Sequence, residues 1–190
     1  MDQIVLASNN RHKLKEIQSV LNPIKVISLS ELNFNKDIAE TASTFEGNAL
    51  LKCEAIFKEF GQPVIADDSG LCVPALNNEP GVYSARYAGP KATDYDNCKK
   101  LLNELSQHIN REAYFVSVIC YYINPYTIHY FRGELTGSIG FEITGNQGFG
   151  YDPVFIPDNG SKTLAEFTPQ EKNRISHRAK ALAQFTDFLP

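Results

Sequence analysis

A chain of 190 residues, 43% hydrophobic and 21% charged, has room for one core-bearing domain or two joined lobes and needs no covalent staples. Its net charge of −4 argues against a protein whose main task is gripping a nucleic-acid backbone. Cys53, Cys72, Cys98 and Cys120 show no C-x-x-C spacing, the N-terminus lacks the pattern of a signal peptide, and no apolar run is long enough to span a bilayer. A zinc knuckle, a redox pair and a membrane span are therefore not expected, and a reduced, cytoplasmic protein is.

Residues 3–7 (QIVLA) form a short apolar run that predicts a buried strand. Leu14, Ile17 and Leu21 then fall at helical spacing, with Asn9 or Asn10 as the N-cap. Residues 8–13 are thus a strand-to-helix turn carrying polar side chains, backbone N–H groups and Lys13, which suits a phosphate as well as an ordinary capped helix. No G-x-x-x-x-G-K-[ST] is present, so the turn is not a Walker A loop. Residues 25–29 predict a second strand, and 33–42 a polar loop with Glu40 near its end.

Ser43-x-x-Glu46 predicts a capping box opening a second helix. Phe45, Ala49, Leu50, Cys53, Ile56, Phe57 and Phe60 line its apolar face. Asn48 and Lys52 lie off that face or at its edge, four apart and so neighbours. Periodicity alone favours a solvated polar face for them. Val64, Ile65 and Ala66 then run into Asp67-Asp68-Ser69-Gly70, which reads as a buried strand ending in two carboxylates and a turn. Ligands of open α/β sheets sit at the carboxyl ends of strands and adjacent carboxylates usually have a cation, while a solvated Asp-Asp turn without chemistry fits these residues equally well.

Thr93 begins a third helix, with Leu101, Leu102 and Leu105 inward and its charges on a solvated face. Residues 113–123 and 127–135 predict a β-hairpin, and 137–143 a further strand. Residues 144–152 (TGNQGFGYD) lack G-x-G-x-x-G and lead into a strand at 154–156, so a dinucleotide loop is excluded. Glycines beside Phe149 and Tyr151 suit either a purine platform or a Gly-rich hairpin. Thr168-Pro169-x-Glu171 is a strong helix start. On one continuous helix Lys172 and His177 would differ by roughly 140° in azimuth, and Ser176 can cap a second helix, so a break is predicted near Ile175-Ser176.

S-x-N-x-x-K at the start, then TFEGNALLK, ADDSGL, PGVYSARYAG, GFGYDPVF and EKNRISHRAKAL, occur in one order from about Ile4 to Leu182. In this the chain resembles the inosine triphosphate pyrophosphatase family, which clears deaminated purine nucleotides. Two departures stand out. Pro74 replaces an acid that many members have after SGLxV, and Asn77-Asn78-Glu79 replaces a Gly-Gly pair before the Pro80-Gly81 turn.

The resemblance implies an elongated α/β fold over residues 1–190: a mixed β-sheet with flanking helices, in two lobes around a central cleft. It also implies a homodimer, Mg²⁺, and hydrolysis of ITP, dITP and XTP to monophosphate and pyrophosphate. Matched by position, Ser8, Asn9, Asn10, Arg11, His12, Lys13, Lys52 and Ser69 belong to substrate, with Asn10, Lys13 and Lys52 on the triphosphate. Phe149, Gly150, Tyr151, Asp152, Lys172, His177 and Arg178 belong to the base. Glu40, Asp67 and Asp68 belong to the metal, and Asp68 takes the proton of the attacking water. Donors from His177 and Arg178 would meet the 6-oxo acceptor of hypoxanthine and xanthine and clash with the adenine amino group. The loop 149–152 would filter guanine at its 2-position. A nucleotide sensor without turnover, and a phosphohydrolase for pyrimidine or methylated nucleotides, remain the alternatives. A nucleic acid or a membrane is not an expected partner.

Overall fold

The computed structural model describes residues 2–189. Its strands are β1 (Gln3–Leu6), β2 (Lys25–Ile27), β3 (Val64–Val73), β4 (Glu79–Pro80), β5 (Glu112–Asn124), β6 (Thr127–Ile139) and β7 (Phe155–Pro157). Its helices are α1 (Arg11–Leu21), α2 (Phe45–Phe60), α3 (Asp94–Glu104), α4 (Pro169–Ile175) and α5 (His177–Phe188). The sheet is mixed, in the order β2-β1-β3-β5-β6-β7, with β4 paired to β3. β1 runs parallel to β2 and β3, while β4 and β7 run antiparallel to their neighbours. None of the described helices is long and apolar enough to cross a membrane.

Two compact units divide the chain, one holding residues up to Asp68, Ser117–Gly133 and everything from His177 on, the other Ser69–Val116 and Glu134–Ser176. In the first unit, side chains alternate across the sheet with the period of two that a pleated strand imposes. Ile4, Leu6, Ile65, Ile119 and Tyr121 join Ile17 and Leu21 of α1 and Ala181, Leu182 and Phe185 of α5 in one core. Val5, Ala7, Val64, Ala66, Cys120 and Tyr122 join Ala49, Cys53 and Ile56 of α2 in another. The sheet is thus covered on both faces, as its near-continuous apolar strands require. Helix α5 lies against β6 at Gly133, where a Cβ would stand 2.1 Å from the His177 carbonyl oxygen and 2.5 Å from the Ala181 nitrogen.

In the second unit one core gathers Leu71 and Val73 of β3, Cys98 and Leu101 of α3, Ala113 and Phe115 of β5, Leu135 and Ile139 of β6, and Val154, Phe155 and Leu164. Asn77 and Asn78 both adopt left-handed backbone, φ 54° and 66°, so asparagines do here what a glycine pair would do more easily.

Several boundaries differ from the sequence reading. The capping residue of α2 is Thr44, not Ser43: its hydroxyl accepts from the Gly47 N–H at 3.1 Å, and Glu46 instead pairs with Arg132. The segment 137–143 is not a separate strand. β6 continues to Ile139 because Gly137, Ser138 and Ile139 pair in register with β7. The run 154–156 begins β7 only at Phe155, since Asp152–Val154 form a 3-10 turn. β3 does not end at the acids but runs through them to Val73. The starts of α3 and α4 at Thr93 and Thr168, each with a full capping box, and the break at Ser176 fall where the sequence puts them.

Candidate active site

Because β3 stays extended through Asp67 and Asp68, alternation sends the two carboxylates to opposite faces of the sheet. Asp67 follows Ile65 onto the α1 and α5 side, and Asp68 follows Ala66 onto the α2 side. The repulsion that adjacent carboxylates would suffer is relieved by this split, and each acquires its own cations.

Asp67 is 1% exposed. Its Oδ1 accepts the Ser117 hydroxyl at 2.5 Å, and its Oδ2 meets Lys13 Nζ at 2.8 Å and Arg178 Nη2 at 3.2 Å. The other Arg178 amino group, Nη1, is paired with Glu16 of α1. Burial by itself would raise the Asp67 carboxyl, but Arg178 and Lys13 outweigh it and hold the group well below the usual carboxylate range. The pair is asymmetric. Lys13 lies below its ordinary value, chiefly through burial and then through Lys52 and Arg178 beside it, with Asp67 only partly opposing them. A second anion brought to Lys13 would raise it again.

On the other face, Lys52 projects from α2, a helix aligned by its Thr44 cap. Its Nζ donates to Asp68 Oδ1 at 2.8 Å, Glu40 Oε1 at 3.0 Å and the Asp67 carbonyl oxygen at 3.0 Å. Burial would lower Lys52, but Asp68 and Glu40 reverse this and raise it. Asp68 is raised, because burial outweighs Lys52 and Lys13. Asn48 accepts the Ala42 N–H at 3.0 Å and reaches Asp68 Oδ2 at 3.4 Å. Asn48 and Lys52 are therefore buried and not the solvated pair that periodicity favoured. The α2 stripe is apolar on average, and only the carboxylates of neighbouring segments make a buried lysine tolerable there.

Three cations (Lys13, Lys52, Arg178) here face four carboxylates (Glu16, Glu40, Asp67, Asp68), three minus four, a net charge of −1. Glu40 and Asp68 converge on one ammonium, so their spacing lets them share a single cation. Among the described residues no three His, Cys, Asp or Glu side chains lie together as a metal cage. Asp67, expected with the metal, stands across the sheet with both oxygens engaged by Ser117, Lys13 and Arg178.

The turn before α1 is built as expected. Asn10 is the N-cap and its Oδ1 accepts from the His12 and Lys13 N–H groups at 2.9 and 3.1 Å. Ser8 Oγ accepts the Asn10 N–H at 3.2 Å. Asn9, Asn10, Arg11 and His12 are exposed. His177 is buried beside Arg178 at the start of α5, in this same unit.

The second unit assembles the other predicted residues. The loop ahead of β7 turns through Gly148 and Gly150, with φ 73° and 62°. A Cβ at Gly148 would stand 2.0 Å from Asp152 Oδ2. That oxygen accepts the Phe149 N–H at 2.8 Å and Lys172 Nζ at 2.6 Å, and the Lys172 ammonium sits 4.6 Å from the Phe149 ring centroid. Phe149, Asp152 and Lys172 thus form one aromatic and charged platform, while Ser69 begins the unit on β3.

Sequence reasoning missed Glu16, Ser117, Ser84, Asp94 and Cys98. Glu16 reads as an exposed helix charge and Ser117 as one small residue in an apolar run. Asp94 and Cys98 sit four apart on α3, whose charges were read as solvated, yet Asp94 Oδ2 accepts the Gly150 N–H at 2.7 Å. Only the i, i+4 spacing of Asp94 and Cys98 was visible beforehand.

The model of the Ham1 family matches residues 4–188. Over 188 residues the chain is 49% identical to the dITP/XTP pyrophosphatase of Flavobacterium psychrophilum, covering 98% of each chain. Over 191 residues it is 47% identical to the dITP/XTP pyrophosphatase of Porphyromonas gingivalis, covering 100% of this chain and 98% of that one. The solved structure of a HAM1 protein from Coxiella burnetii superposes with a TM-score of 0.90 at 44% identity, covering 98% of each chain.

Proposed function

The chain belongs to the Ham1 family, and from that premise we propose that it hydrolyses deaminated purine nucleoside triphosphates (dITP, ITP and XTP) to the monophosphate and pyrophosphate. The observation that carries the reading is Lys52. One ammonium, held by Glu40 and Asp68, stands beside the Asp67 backbone that Lys13 also reaches. Two lysines next to two carboxylates that share a cation is a set that holds phosphates and activates a water. The dITP/XTP pyrophosphatases of Flavobacterium psychrophilum and Porphyromonas gingivalis, to which the chain is similar, support the same reading.

Lys13, Lys52 and the turn at Ser8–Lys13 bind and orient the triphosphate. Asp68 accepts the proton of the water that attacks the α-phosphorus, and the β,γ-pyrophosphate leaves. General base catalysis of this kind contributes roughly 10²–10⁴-fold. Asp67 keeps Lys13 and Arg178 in place from the other face of the sheet. Phe149 stacks on the purine with the backbone of Gly150 and Tyr151 beside it, while Asp152, Lys172, His177 and Arg178 choose among bases by their donors and acceptors.

Two carboxylates that already converge on one cation support a divalent metal. Glu40 and Asp68 are the residues that would hold Mg²⁺, a hard ion that binds one or two carboxylates together with phosphates. When bound it supplies charge neutralisation on the phosphates and a more acidic water. The resemblance also carries a homodimer, which sedimentation of the purified chain tests.

Initial rates on dITP, XTP, dGTP, dATP and dUTP, with and without Mg²⁺ and with the released anion identified, test the reading. The expected outcome is Mg²⁺-dependent release of pyrophosphate with dITP and XTP preferred. Release of orthophosphate, or a preference for dUTP, would overturn it.

A further inference from the structure

The loop that carries Phe149 is held by a helix with no other visible part in the site. Asp94, the first residue of α3, accepts the Gly150 N–H at 2.7 Å, and Cys98, one turn on, donates its thiol to the Gly150 carbonyl at 3.4 Å. One peptide residue is thus gripped at both its donor and its acceptor by two side chains on one helix face. The next residue is tethered as well: the Tyr151 hydroxyl donates to the Ser84 carbonyl at 2.8 Å, and the Ser84 hydroxyl accepts the Leu71 N–H at 2.9 Å. Gly150 itself sits at φ 62° with nothing near its missing Cβ, so at this residue hydrogen bonds supply the order that side-chain packing gives its buried neighbour Tyr151.

We infer that Asp94 and Cys98 are positioning residues for base selection, a clamp that fixes Gly150 and thereby presents Phe149 and Asp152 in their binding geometry. The inference rests on the proposed role of Phe149 and Asp152 at the purine. Before substrate arrives, a loop released from the clamp visits other conformations, and affinity falls in proportion to the competent fraction. The phosphate chemistry uses other residues, so the effect falls on KM.

The test is a kinetic comparison of Asp94→Ala, Asp94→Asn, Cys98→Ala and Phe149→Ala, with dITP and XTP as substrates and thermal unfolding as the check on folding. Asp94→Ala removes the acceptor and is expected to raise KM about three- to tenfold with kcat within about twofold, the scale of one ordinary hydrogen bond, since this one is exposed. Asp94→Asn keeps an acceptor oxygen and is expected to restore KM to near the parent value, a rescue that a purely electrostatic or stability effect would not produce. Cys98→Ala, a second probe from the carbonyl side of the same residue, is expected to shift KM in the same direction by less, since a thiol is a weak donor. If Phe149→Ala raises KM and both Asp94→Ala and Cys98→Ala leave it unchanged, the clamp is wrong and the base platform stands. If Asp94→Asn is as impaired as Asp94→Ala, the clamp is wrong too. If Phe149→Ala leaves KM unchanged, the base platform fails and the clamp with it.

Discussion

Replacing Arg178 by Met removes the guanidinium that joins Asp67 of β3 to Glu16 of α1, while keeping a long side chain in the space. Arg178 is 1% exposed, and both its partners are carboxylates. Burial by itself would weaken its charge, yet Asp67 and Glu16 raise its pKa, so the pair of anions depends on it as much as it does on them. Breaking a buried ion pair from one side costs about 3–5 kcal/mol, and the lower end applies because Asp67 keeps Lys13 and Ser117. For a chain of this size that is a fall in Tm of about 6–12 °C at pH 7. The pH dependence has a definite sign. Asp67 is depressed in the fold, so its contribution is fully present above the ordinary carboxylate value of about 3.9 and is lost as pH falls through the lower folded value. The gap between parent and variant should therefore be widest at neutral pH and narrow below about pH 4. Thermal and urea unfolding from pH 7 to 3.5 measure it. In an Asp67→Asn background the cost of Arg178→Met should shrink by about 1 kcal/mol or more. A Tm shift under about 2 °C, or an unchanged cost beside Asp67→Asn, would refute the reasoning.

Asp68→Asn should lower kcat by about 10²–10⁴-fold with far less effect on KM, and turnover within about threefold of the parent would remove Asp68 as the base. Glu40→Gln should raise the Mg²⁺ concentration needed for half-maximal rate, while Asp67→Asn, whose oxygens face Lys13, Arg178 and Ser117, should act mainly on stability; a Mg²⁺ titration of both variants separates the two acids. Lys13→Ala should weaken dITP and dGTP by similar factors, because a phosphate contact carries no base information; a tenfold change in their ratio, about 1.4 kcal/mol, would place Lys13 at the base instead. Arg178→Met should also narrow the dITP:dATP ratio if its donors read the 6-oxo group, and an intact ratio would leave it a purely structural role.

Local chemistry carried much of the fold. Side-chain caps at Asn10, Thr93 and Thr168 act within a few residues of themselves, and so α1, α3 and α4 start where spacing puts them. The same holds for the break at Ser176, whose backbone is extended between α4 and α5. The candidate site residues are named because six motifs recur in a known order, not because any one pattern compels them.

What tertiary structure decided concerns faces and partners. Asp67-Asp68-Ser69-Gly70 reads locally as a turn, yet neighbouring strands keep it extended, and that one fact splits the two acids across the sheet. Lys52 and Asn48 look solvated on a helical wheel, and they are buried because Glu40 and Asp68, distant in sequence, arrive to satisfy them. Arg178, placed at the base by the resemblance, gives no local sign of the two carboxylates, Glu16 and Asp67, that meet it in the fold. Propensity and periodicity are short-range properties of the chain. The partner of a buried charge is set by which segments the sheet brings together, and that is a long-range property that only the folded chain possesses.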